Sequence, residues 1–195
     1  MNLKIITAPT EEPITLEDAK KHLRVTSTDE NTLITSIIIV SREIAESFTH
    51  RALASQTLEY IIDDFPEEVI TLPMPPVESI TSIKYKNSAG VETEWDKSKY
   101  IFLDSEPAKI VPAYGEYFPS FTPYPIGAVK IRYVTGYKKE GDDPNIVIPE
   151  AIKQAILLLI GHYFENREIL LERGHIPKTI PFSAEALLYS YKIWS

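Results

Sequence analysis

The chain has 195 residues, a net charge of −8 and no cysteine. That length allows one large domain, or one domain carrying an insertion, and the lack of cysteine excludes a disulfide framework and thiolate chemistry. Hydrophobic content of 44% and charged content of 25% are those of a soluble globular protein, and MNLKIITAP at the start lacks a signal-peptide core.

Charge is unevenly placed. Residues 1–54 carry six Lys/Arg against eight Asp/Glu, residues 55–148 nine against fifteen, and residues 149–195 five against five. Tight nucleic-acid binding needs a basic stripe that displaces counterions from phosphate. The sequence offers none, and its acidic middle repels DNA, which still leaves room for a duplex that passes without being held.

Residues 1–54 read as helical. Thr15 is a good N-cap, Asp18 three residues on approximates a capping box, and Pro13 stands just ahead. Leu16, Ala19 and Leu23 give a short apolar face that ends near Val25. A longer helix starts at Asp29, with Leu33, Ile37, Val40, Ile44 and Phe48 on one face and Ile34, Ile38 and Ile39 widening it. The β-branched residues favour strand, but length and period outweigh them.

Residues 55–148 change character, holding ten of the fifteen prolines. Leu58–Ile62, Val69–Leu72, Ile80–Tyr85, Tyr100–Leu103, Lys109–Val111 and Ala128–Val134 read as strands, rich in β-branched and aromatic residues. Asn87-Ser88-Ala89-Gly90 signals a turn before Val91-Glu92-Thr93, and Pro73, Pro75 and Pro76 mark a strand exit. Ala113–Gly127, with five aromatics and three prolines, reads as a long loop.

The chain then returns to helix. Pro149 suits a first helical turn, and Ile152, Ala155, Ile156, Leu159, Ile160 and Tyr163 recur at helical spacing, with Leu157, Leu158 and Phe164 widening the apolar surface. This helix is expected to run to about Leu171 and stop at Gly174, with Ser183 capping a last short helix through Leu187, Leu188 and Tyr191. A helix apolar on more than one side needs more than one neighbour to cover it.

No catalytic or metal-binding constellation stands out. His22, His50, His162 and His175 lack a second His at ligand spacing, and Glu165 and Glu168 after His162 supply no evident third ligand. Asp63-Asp64, Glu67-Glu68 and Asp142-Asp143 are neighbours in sequence, so they read as solvated turns rather than carboxylates facing across a cleft. Neither a phosphate-cradling loop nor a nucleophile elbow occurs among the seven glycines. The chain is expected not to be an enzyme and to need no cofactor or metal.

One family accounts for much of the chain. Ile14-Thr15-Leu16-Glu17-Asp18-Ala19 through Val25, Ser41-Arg42-Glu43, Thr49-His50-Arg51-Ala52-Leu53 and Gln56-Thr57 form its first part. Leu72-Pro73, Pro76-Val77, Ser79–Tyr85, Ala128–Tyr133 and Thr135-Gly136-Tyr137 form its middle. Ala155–Glu168 and Pro181-Phe182 with Ala186-Leu187-Leu188, Tyr191 and Trp194 form its end. These segments resemble the head–tail connector (adaptor, or neck) proteins of tailed bacteriophages and prophages, in a longer form with a β insertion, often labelled as DNA-packaging proteins. His50 stands where that family tends to have glycine, which puts a left-handed turn there in question, and Lys138-Lys139 replace another common glycine.

The resemblance implies an α+β fold: a helical core of residues 1–54 and 149–195, its N-terminal helices packed with the long C-terminal helix, and an inserted small antiparallel β domain at 55–148. It implies a structural virion protein that forms a dodecamer-like ring of its own copies below the portal protein. The ring would extend the DNA channel and receive a tail-completion or stopper protein. Such a protein is made in the host bacterial cytoplasm, ends in the virion neck, and touches no membrane. Ile34, Ile37, Ile38, Ile39, Leu157, Leu158 and Phe164 are then the expected subunit contacts. Tyr189, Tyr191, Trp194, Tyr117, Phe118 and Phe121 are the expected docking aromatics, since Tyr and Trp are enriched at interface hot spots. The alternatives are a DNA-contacting packaging factor, which predicts salt-sensitive DNA binding, and an enzyme of unrecognised type.

Overall fold

The computed structural model describes residues 2–138, 147–166 and 180–194. The chain forms two compact units, one of Met1–Thr10 with Ala54–Tyr137 and one of Glu11–Leu53 with Lys138–Ser195. We call them the sheet unit and the helical unit.

The sheet unit contains β1 (Asn2–Thr7), β2 (Gln56–Ile62), β3 (Ile70–Thr71), β4 (Val77–Lys86), β5 (Glu92–Glu94), β6 (Tyr100–Leu103), β7 (Lys109–Pro112) and β8 (Val129–Thr135). They build two antiparallel sheets, a five-stranded one in the order β1-β2-β8-β4-β5 and a three-stranded one in the order β3-β7-β6. β8 shows why the sequence folds this way: Val129, Ile131, Tyr133 and Thr135 are buried while the residues between them are half-exposed. That two-residue period puts one face of the strand in the core. Leu58, Ile83, Trp95 and Ile110 join Ile131 and Tyr133 there.

The proline run at 73–76 cannot donate to a ladder, yet its carbonyls accept. Tyr133 donates its hydroxyl to the Pro73 carbonyl at 2.8 Å, and Thr135 donates to the Pro76 carbonyl at 2.7 Å. Burial, with a smaller push from Tyr60, raises the Tyr133 phenol far above its ordinary value. Just after β8, Gly136 has φ +110°, and a Cβ there would lie 2.1 Å from the Ala54 carbonyl oxygen. Only glycine allows this approach.

The helical unit contains α1 (Leu16–Leu23), α2 (Asn31–Thr49), α3 (Glu150–Glu165) and α4 (Phe182–Tyr189). Thr15 caps α1 as expected, its Oγ1 accepting from the Asp18 amide at 3.1 Å. α3 packs against both α2 and α4, burying Ile34 and Ala45 from α2, Ile152, Ile156 and Leu159 from α3, and Leu188 from α4. His50 at the end of α2 adopts φ 56°, so the left-handed turn persists without glycine.

The fold is not a helical core with a small insertion. Eight strands in two sheets, with a core of their own, stand beside four α-helices among the described residues. Asn2–Thr7, within the stretch read as helical, is a strand paired with β2. Short strands give weak periodic signals between prolines, whereas a 19-residue amphipathic helix gives a strong one, which is why the helices stand out in the sequence and the sheets do not. Helix ends also differ: α2 begins at Asn31 after Glu30 rather than at Asp29, α4 runs from Phe182 to Tyr189 with Pro181 as its cap and stops short of Tyr191, and α3 ends at Glu165. The expected stops at Leu171 and Gly174, the residues Glu168 and His175, and the Lys139 departure lie outside the described residues.

Candidate assembly surfaces

The expected subunit contacts divide by burial. Ile34, Ile37 and Ile38 are buried within the chain itself, whereas Ile39 is exposed, as are its neighbours Leu33 and Val40. Leu157, Leu158 and Phe164 are half-buried. Helical spacing identified an apolar surface on α2 wider than one neighbour needs, but which part α3 covers is a tertiary fact.

A buried ionic cluster fixes the second half of α2. Arg42 donates to Glu46 at 2.6 Å and to Glu12 at 2.8 Å, while the other Glu46 oxygen accepts from the Leu53 amide at 2.7 Å. Arg42 and Glu46 are almost wholly buried. Burial alone would lower the guanidinium's pKa, but Glu46, Glu12 and Glu43 outweigh it and hold Arg42 above its ordinary value. The four-residue spacing of Arg42 and Glu46 was a visible signal; the reach to Glu12 and Leu53 was not.

The same end of α2 holds the chain's C-terminal segment. Arg51, itself buried, donates through Nε to the Tyr191 carbonyl at 2.5 Å, and the Ile193 amide donates to the Thr49 carbonyl at 2.9 Å. Lys192 Nζ lies 5.0 Å from the centre of the Phe48 ring and 4.9 Å from that of Trp194. Trp194 meets Tyr189 edge-on at 5.6 Å. The segment is thus anchored through its backbone while Tyr189 and Trp194 stay exposed, at 57% and 68%, and Tyr191 is half-buried. Arg51 had no distinguishing signal in the sequence.

In the sheet unit the aromatic loop separates into anchors and presenters. Phe118 stacks on Phe65 at 5.4 Å and Phe121 packs against Tyr85 at 5.0 Å, both half-buried against the core. Tyr117 is 84% exposed and Tyr114 fully exposed. The loop is tied down by Ser88 N–H to the Thr122 carbonyl at 2.8 Å and Tyr124 N–H to the Lys86 carbonyl at 3.0 Å, with Lys86 Nζ 4.0 Å from the Tyr124 ring centre. The structure therefore brings Phe118 and Phe121 together as packing residues and leaves Tyr117 outside that cluster.

Three cations on one face of the five-stranded sheet are matched by carboxylates. Arg132 pairs with Glu59 at 2.8 Å, and Lys130 and Lys84 share Glu92 at 3.3 and 3.6 Å. The hydrogen bond from Lys130, aided by Lys84, holds Glu92 below the usual carboxylate range. His162 lies with its ring against Tyr163 and near the Asn166 side chain, while Glu165 is exposed.

A family model described as head completion protein matches residues 12–192. The chain belongs to the head completion protein family. It is a structural protein of the head-to-tail connection of a virion, and the resemblance to head–tail connectors read from the sequence is borne out. No curated protein matches the chain. Among solved structures it is similar to a chain of the neck of an empty gene transfer agent (GTA) particle computed with C6 symmetry, at 23% identity and TM-score 0.78. A chain from the virion of the native gene transfer agent particle matches at 23% identity and TM-score 0.77, and one from the native neck computed with C12 symmetry at 22% and 0.71. Each match covers 100% of this chain and 97% of the other. These likenesses establish a shared fold.

Proposed function

We propose that this head completion protein is a ring subunit that sits in the virion neck, below the portal, and hands the DNA channel on to a tail-completion protein. The observation that carries the reading is the family match over 12–192, joined to a fold shared from end to end with neck chains of symmetric particles. The chain is made in the host cytoplasm and does no catalysis. Its role is to close one heterologous interface repeatedly until a ring forms.

Exposed Ile39, with Leu33 and Val40 beside it and half-buried Leu157, Leu158 and Phe164, supports lateral contacts in the helical unit. Tyr189 and Trp194 on their anchored segment, and Tyr117 on its braced loop, support docking, because preordered aromatics lose little entropy on binding. The pairing of Lys84, Lys130 and Arg132 with carboxylates supports a surface past which DNA slides.

The test is binding of a Tyr189→Ala, Trp194→Ala variant to isolated portal rings. Both side chains are exposed, so the variant should keep its circular dichroism spectrum while portal binding falls at least tenfold. Unchanged portal binding would remove the docking role of the C-terminal aromatics.

A further inference from the structure

β1 is exposed along its whole length. All six of its residues are open to solvent, including Leu3, Ile5 and Ile6, with Ile5 at 64%. It is also an edge of the five-stranded sheet, so the backbone groups on its outer side face no further strand. Long apolar edges of this kind are normally covered, charged or shortened. At the opposite edge of the same sheet, all three residues of β5 are exposed too.

Strand directions and side-chain faces restrict what can join these edges. Every neighbouring pair in the order β1-β2-β8-β4-β5 is antiparallel, so the two edge strands run the same way. A copy rotated about an axis tilted slightly from the strands would bring its β1 beside β5 in parallel, with the register shifted by the two residues that set Lys4 against Glu94. Asn2 lies across from Ile61, Ile61 from Lys130, Lys130 from Lys84, and Lys84 from Glu94. Lys4, two residues from Asn2, shares its face and lies across from Glu59, itself across from Arg132. Lys4 and Glu94 therefore stand on one face of the sheet at its two edges, two residues apart in register. Neither has an ion-pair partner among the described residues, although Arg132, Lys130 and Lys84 between them are all paired.

We propose that β1 of one copy pairs in parallel with β5 of the next, with Lys4 set against Glu94, so that the sheets run on from subunit to subunit. The proposal rests on the ring reading above and identifies one contact within it. The pairing is heterologous, uses opposite charges, and leaves no open edge on this sheet once the ring closes. Two copies of β1 meeting about a twofold would instead set Lys4 near Lys4 and stop at a dimer.

The chain has no cysteine, so any disulfide in a Lys4→Cys, Glu94→Cys variant is the engineered one. Under mild oxidation in the presence of portal rings, this variant should give a ladder of covalent oligomers on a non-reducing gel, with each single variant remaining monomeric. Rings seen by light scattering without a ladder would overturn the edge pairing and leave the ring reading intact. Monomer in both measurements would overturn both. Dimers from Lys4→Cys alone would show β1 meeting β1 and overturn the pairing. A second readout uses charge: Lys4→Glu should weaken ring formation about tenfold, and adding Glu94→Lys to the same chain should restore it. A double variant no better than Lys4→Glu would count against the contact.

Discussion

The two units solve the problem of a stable core differently. The sheet unit closes around aromatic and β-branched side chains, with Trp95, Tyr133, Ile83 and Ile131 buried and no buried charged residue among those described. The helical unit buries Arg42, Glu46 and Arg51 among its isoleucines and leaves Leu33, Ile39, Val40 and Trp194 exposed. An apolar core tolerates small adjustments of packing, whereas a buried ionic cluster demands its partners in place. The difference teaches that the helical unit holds one arrangement of α2 and the C-terminal segment, presenting a defined surface for assembly.

The contrast can be broken most forcefully at the sheet unit's tightest backbone approach. Gly136→Ala should cost about 3 kcal/mol or more, because the added methyl meets the Ala54 carbonyl and φ +110° is strained for any other residue. Urea unfolding followed by Trp fluorescence would measure it. In the helical unit, Arg42→Ala strands Glu46 in a buried site and should cost about 3 kcal/mol, while Arg42→Met with Glu46→Gln, which removes the charge and keeps an acceptor for the Leu53 amide, should recover much of that loss. A double variant as unstable as Arg42→Ala would show that the cost is not the unpaired charge.

Smaller effects sharpen the comparison. Arg51→Ala removes the charged donor to the Tyr191 carbonyl and should cost about 1.5 kcal/mol. Hydrogen exchange should then speed up at Ile193 more than at β8. His50→Gly should stabilise by about 0.5–1 kcal/mol, since His50 is exposed at φ 56° and glycine removes the left-handed strain. A thermal melt of the two chains side by side would show the upward shift.

Much of this was legible in the residues. Tyr100–Leu103 was read to the residue, Lys109–Val111 to within one, and the Thr15 cap was read with its Asp18 partner. Local chemistry decides those features. β1 was missed because six residues with no buried side chain give no inward-facing alternation to detect. The candidate surfaces were half legible: spacing placed Ile34, Ile37, Ile38 and Ile39 together on α2, but only packing separates the first three from the last. Likewise Phe118 and Tyr117 are adjacent and similar in chemistry, yet one fills the aromatic cluster and the other faces solvent. The tie between Arg51 and the C-terminal segment joins residues 140 apart, beyond any local pattern.

Size-exclusion chromatography with light scattering, on the chain alone and then with isolated portal rings, tests the central claim most directly. The account predicts a ring-sized species, formed spontaneously or on the portal, eluting as one complex with it. A chain that stays monomeric and elutes apart from the portal at every concentration would contradict the account.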